Sequence, residues 1–131
     1  MKKFDDILRK FDLRYFGNGK HKISFEKMMK LFQEDSVFII DLRTRLESKY
    51  LSFGFAENIP IDEIPDSIDK IPENKTIVLF CSGSTRATIV YTYLRLLDYD
   101  VKILVDKISE IAGNFKPGYV LKNLEPPERE I

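Results

Sequence analysis

With 131 residues, 44% of them hydrophobic and 32% charged, the chain is long enough for one domain with its own core and too apolar for a disordered segment. Lysine plus arginine and aspartate plus glutamate stand at 21 each, so net charge gives no argument for nucleic acid or a bilayer as partner, and no basic run is interleaved with aromatics. One cysteine and one histidine exclude an intrachain disulfide and a multi-cysteine or multi-histidine metal site, so no metal or other cofactor is expected.

Phe4, Ile7, Leu8 and Phe11 recur at helical spacing between Lys3 and Phe11, which predicts an amphipathic helix that packs across the domain or faces a partner. The amino terminus turns acidic at Asp5-Asp6 where a signal peptide would be apolar, and no run approaches a membrane span, so a cytoplasmic protein is expected. Phe16-Gly17-Asn18-Gly19 is a turn signal, and His21, in polar company, reads as solvated. Ile23 is a short strand, after which Ser24 can cap a helix lined on one side by Phe25, Met28, Met29 and Phe32. Val37 to Arg43 reads as a buried strand ending in Asp41-Leu42-Arg43, where Asp41 is placed to cap the next turn or pair with an arginine. Thr44 then caps a short helix through Leu51 with Leu46 and Tyr50 facing inward. Ile61 to Ile71, broken by Pro65, gives two short helical turns.

Thr76-Ile77-Val78-Leu79-Phe80 follows the polar turn Pro72-Glu73-Asn74-Lys75 and is too short and β-branched for a helix; it reads as a buried strand. A helix begins at Ser84 or Thr85 with Ile89, Val90, Tyr93, Leu94, Leu96 and Leu97 as its apolar face. Tyr99 to Leu104 is a last strand, Asn114 to Gly118 a turn, and Glu125 to Glu130 an exposed tail. The expected plan is a helical extension over residues 1–21, a domain over 22–120 and a tail over 121–131. Strands alternating with helices give the α/β class, a mostly parallel sheet with helices on both faces and its site at the strands' carboxyl ends.

Cys81 stands where the carboxyl end of a strand meets the amino end of a helix, and Ser82-Gly83-Ser84-Thr85-Arg86-Ala87 follows it. Small residues let successive backbone N–H groups point into one concavity, and the helix adds its positive dipole end, so the loop favours an anion. A thiolate is such an anion, which marks Cys81 as a candidate nucleophile, with residues 82–87 around the substrate. Arg86 can bring a guanidinium to the rim and pair with an anionic substrate. The plain alternative is a buried cysteine used as a small hydrophobe; the Ser-Gly-Ser-Thr-Arg run weighs against it.

Cys81 to Ala87 resembles the active-site loop of rhodanese-like domains, a cysteine after a central strand with arginine or threonine five positions on, although Gly83 lies one place before the family's commonest glycine. Asp41-Leu42-Arg43 with Glu47 is similar to the family's Asp-x-Arg followed by glutamate. Ala56-Glu57-Asn58-Ile59-Pro60 resembles its Ala-x-Asn-Ile-Pro segment, and Tyr99 to Leu104 its final strand. The resemblance spans about residues 22–120. It implies a three-layer rhodanese-like fold in which Asp41 and Arg43 lie beside the active loop, shaping it or binding substrate. It further implies a sulfurtransferase in which Cys81 takes sulfane sulfur from a small sulfur donor or a protein persulfide and passes it to a thiol or cyanide acceptor. Ser82 and Gly83 carry no charge where thiosulfate-preferring members often have basic residues, so weak thiosulfate activity is expected.

The chain departs from the family pattern at three places. Ser52 occupies a histidine position, Asp106-Lys107 replaces Gly-Gly, and tryptophan is absent. Asp106 facing the cradle would repel anionic donors, Lys107 would attract them, and both pointing to solvent would do neither. Two other readings follow from the same residues. One is a non-catalytic binding or regulatory module; the other, a phosphatase or arsenate reductase, is disfavoured by a loop one residue shorter than those enzymes use. Oligomeric state is not legible in the sequence.

Overall fold

The structure, a computed structural model, describes residues 2–124. Its elements in chain order are α1 (Lys2–Lys10), α2 (Leu13–Gly17), β1 (Lys22–Ile23), α3 (Phe25–Gln33), β2 (Val37–Asp41), α4 (Arg45–Tyr50) and β3 (Glu57–Asn58). Two 3-10 turns follow (Ile61–Glu63 and Pro65–Lys70), then β4 (Thr76–Phe80), α5 (Thr85–Leu96), β5 (Val101–Leu104), α6 (Ile108–Gly113) and α7 (Pro117–Asn123). All strands pair in parallel in the order β1-β5-β4-β2-β3. The chain is therefore an α/β domain with β4, the strand that leads to Cys81, at the centre of the sheet.

The central strands read as continuous apolar runs because a parallel sheet is covered on both faces. The two-residue period sorts them cleanly. Ile77 and Leu79 of β4, Ile40 of β2 and Val101 and Ile103 of β5 face α5 and the 3-10 turns, joined by Val90, Leu94, Ile64 and Ile71. Val78, Phe80, Val37, Ile39 and Leu104 face the other way, onto Met28 and Met29 of α3 and Ile111 of α6. Ser24 caps α3 as expected, its Oγ accepting the N–H of Lys27 at 3.2 Å. The helix α1 lies against α5 and buries Ile7.

Several local expectations are corrected. On α5 the buried face is Ala87, Val90, Tyr91 and Leu94, at i, i+3, i+4 and i+7, whereas Ile89 is 56% exposed and Leu97 also faces solvent. On α4, Leu46 and Tyr50 are exposed; Glu47, not an apolar residue, turns toward the domain. Asp12 starts α2, a helix where only a turn was expected, by accepting the N–H of Tyr15 at 2.9 Å. Pro117 at the first position of α7 opens a helix inside what reads as a turn. The Gly-Asn-Gly turn itself is present, with Gly19 at φ +66°. His21 is not solvated by its polar sequence neighbours. Its ring lies 5.0 Å from that of Phe16 and 6.3 Å from that of Tyr15, and burial pushes its pKa down, with Lys22 and Lys102 adding to the effect. The expected tail at Glu125 to Glu130 lies outside the described residues.

Candidate active site

Phe80, the last residue of β4, stands in register with Asp41 and accepts the N–H of Leu42 at 3.0 Å. The chain then leaves the sheet. Cys81 is 2% exposed, at the end of the core that contains Ala87 and Val90, while Ser82 to Thr85 are exposed above it. Ser84 occupies the N-cap position of α5 without a side-chain cap, and the first bond of the helix runs from Thr88 N–H to Ser84 O at 2.8 Å. Among the described residues, no backbone N–H from Ser82 to Ala87 donates to a protein acceptor. Those from Ser84 to Ala87 are the orphan donors of a helix start, and the thiol of Cys81 immediately precedes this run in the chain. A Cβ added at Gly83 would meet nothing within 4 Å, so the space above the loop is open at that point.

Arg86 is committed to a partner that the loop sequence does not contain. Its Nη1 donates to Oε1 of Glu47 at 2.7 Å and its Nη2 to Oε2 at 3.1 Å, a bidentate pair, while Nη2 also donates to Ser82 Oγ at 2.9 Å. Glu47 is itself the third helical residue of a capping box. Its Oε1 accepts the N–H of Thr44 at 2.9 Å, and Thr44 Oγ1 accepts the N–H of Glu47 at 3.1 Å. The Arg86 guanidinium, followed by the Thr44 N–H, lowers the Glu47 carboxyl pKa to about 2, and the same pairing raises that of Arg86. The guanidinium expected to pair with an anionic substrate thus stands at the loop with a carboxylate already offsetting its charge.

Asp41 and Arg43 form a buried ion pair, the first of the two readings open to them. Arg43 Nη2 donates to Asp41 Oδ2 at 2.7 Å and to the carbonyl of Leu51 at 2.7 Å, and Arg43 Nε donates to Asp41 Oδ1 at 3.0 Å. Both residues lie under the surface, and Asn58 Nδ2 ties their main-chain carbonyls together at 3.1 and 2.8 Å. The pair fixes the bend from β2 into α4, and through it the position of Glu47. Its contact with the loop is thus indirect.

Asp106 is half-buried and Lys107 exposed, and neither side chain hydrogen-bonds to the cysteine loop. The Lys107 N–H instead donates to Glu110 Oε1 at 2.8 Å and opens α6. Phe53, Phe55 and Phe115 cluster about Phe80 on the face of the sheet away from α5, with Phe80 5.8 Å from Phe53. Of the functional residues, Glu47 was visible in the sequence only as the glutamate that follows Asp41-Leu42-Arg43 in the resemblance; its contact with Arg86 spans 39 positions that no local pattern encodes.

Among the described residues, no helix is long and apolar enough to cross a membrane. No curated protein sequence matches the chain significantly. Solved structures do. A human single-domain sulfurtransferase aligns with a TM-score of 0.65 at 19% identity, covering 75% of this chain and 100% of that one. A rhodanese-like domain protein from Staphylococcus aureus aligns at 0.61 and 25% identity, covering 69% and 89%, and a rhodanese-related protein from Thermoplasma volcanium at 0.63 and 18%, covering 74% and 95%. The family model described as rhodanese-like domain matches residues 24–114, from the cap of α3 to the end of α6, with the Cys81 loop inside it. The chain belongs to the rhodanese-like domain family.

Proposed function

We propose that the chain is a sulfurtransferase that carries sulfane sulfur on Cys81. The observation that supports this reading is the set of unengaged N–H groups from Ser82 to Ala87 around a cysteine at the start of α5. In the first step the Cys81 thiolate attacks the terminal sulfur of a donor. A bond forms between Sγ and that sulfur, the bond from that sulfur to the donor breaks, and the donor leaves with the electron pair as a thiolate. The negative charge of the bound persulfide falls among the loop N–H groups. An acceptor thiolate or cyanide then attacks the outer sulfur and Cys81 leaves as the thiolate. No external oxidant is needed, since each step is a displacement at sulfur. A reducing, cytoplasmic setting suits a mechanism that needs a free thiol.

Donor choice follows from charge. Ser82 and Gly83 bring none, and Glu47 offsets Arg86 at 2.7 Å, so a persulfide on a small thiol or a protein fits the cradle better than doubly charged thiosulfate. Intact-protein mass spectrometry after incubation with a polysulfide and, separately, with thiosulfate tests the reading. The expected result is a gain of one sulfur from polysulfide, little from thiosulfate, none in Cys81→Ser, and loss of the adduct on adding cyanide. No adduct from either donor on the folded protein overturns it. A second reading, a binding module in which Cys81 is structural, draws on the 2% exposure of that residue. Slow alkylation of Cys81 by iodoacetamide at neutral pH would favour it.

A further inference from the structure

The amino-terminal segment and the far ends of α5 and β5 together line an open cavity of about 650 Å³, a size that suits a small molecule. This is the opposite end of the sheet from Cys81. Arg95 is ten positions along α5 from Thr85, about 15 Å by helical rise, and Val101 and Lys102 pair with Ile77 and Val78 at the amino end of β4, whereas Cys81 follows its carboxyl end.

The cavity concentrates positive charge in a chain that has none to spare overall. Arg9, Lys10, Arg14, Lys20, Arg95 and Lys102 line it, against two carboxylates. Both carboxylates already serve the fold: Asp12 Oδ1 caps α2, and Asp100 Oδ2 accepts the hydroxyl of Thr76 at 2.6 Å. Arg9 pairs outward with Asp6 at 3.0 Å. Among the described residues, no carboxylate lies within ion-pair distance of the other five cations. Arg95 shows the deficit most sharply, because its Nε is shut off from solvent and has no hydrogen-bond partner. Around it the structure is braced. Lys102 Nζ donates to the carbonyl of Lys20 at 2.9 Å, and the hydroxyls of Tyr15 and Tyr91 meet beside the cavity wall.

Like charges gathered in a concavity repel one another until a counter-charge arrives, and a fork of guanidinium donors beside ammonium groups matches the oxygens of phosphate groups. A monovalent ion would leave most of the excess unmatched. A long strand would need a stripe leading out of the cavity, and the cations converge from α1, α2, α5 and β5 on one hollow. We propose that this cavity binds a small polyphosphate anion, independently of sulfur chemistry at Cys81.

Isothermal titration calorimetry of the full chain with sodium tripolyphosphate, at matched ionic strength, tests the proposal. One-to-one binding is expected, with a loss on the order of tenfold in Arg14→Gln and in Arg95→Gln. Cys81→Ser should bind as the native chain does, which separates this site from the cysteine cradle. Arg14 is exposed, so Arg14→Gln keeps the fold and serves even where Arg95→Gln does not. The proposal is overturned by no saturable heat at millimolar tripolyphosphate, by affinity unchanged in Arg14→Gln, or by a single-stranded RNA oligomer that binds more tightly than tripolyphosphate.

Discussion

Arg86 ties three pieces of the molecule together, since its guanidinium meets Glu47 on α4 and Ser82 in the loop while its backbone begins α5. The Glu47 carboxyl has a pKa of about 2 in the fold against 4.5 for the free group. A lowered carboxylate pKa means the pairing contributes fully above pH 4.5 and fades as the pH falls towards 2. With the side chain 36% exposed, solvent screening reduces that contribution to about 1 kcal/mol. Urea unfolding of the native chain and Glu47→Gln should differ by this amount near neutral pH and converge in acid. Separation that persists unchanged at the acid end would mean the effect comes from packing instead. Because Glu47→Gln also frees the Arg86 charge, thiosulfate should become a better sulfur donor in that variant.

At the scale of elements, the bend between β2 and α4 rests on the buried Asp41–Arg43 pair. Arg43→Ala strands a carboxylate in the interior and should cost about 3–5 kcal/mol, read as a lowered urea midpoint. The two central strands were legible in the sequence because burial on both faces leaves an unbroken apolar run, and the cysteine loop was legible because small residues at a strand-to-helix junction have few other uses. Helix rotation was not. On α5, apolar residues occur all around the helix, Ile89 and Leu97 as well as Val90 and Leu94, so spacing alone does not choose the buried face. On α4 an ion pair rather than apolar burial orients the helix, which is why Leu46 and Tyr50 point to water. The short helices α2 and α7 carry glycine or proline that reads equally well as a turn. The environment of His21 is likewise made in space, by Phe16 and Tyr15 folding back on it.

Across the whole molecule, the amino-terminal segment is joined to the sheet around that histidine. Burial lowers its pKa, so below the unfolded value of 6.5 the unfolded chain takes up a proton that the native chain resists. Stability should therefore fall as the pH drops below the unfolded value of 6.5, and the slope should flatten in His21→Phe, measured as urea midpoint against pH. As the one histidine in the chain, His21 also gives a single imidazole signal for direct titration by NMR. The strand order has a consequence of another kind. β1 pairs with β5, Lys22 opposite Ile103 and Ile23 opposite Leu104, so partners 81 positions apart (22 and 103) must meet. During synthesis, β1 lacks its β5 partner until Leu104 has left the ribosome, and β4 has an open apolar edge until β5 arrives beside it. Nascent chains halted before Val101 should remain open to protease, and those released beyond Leu104 should resist it.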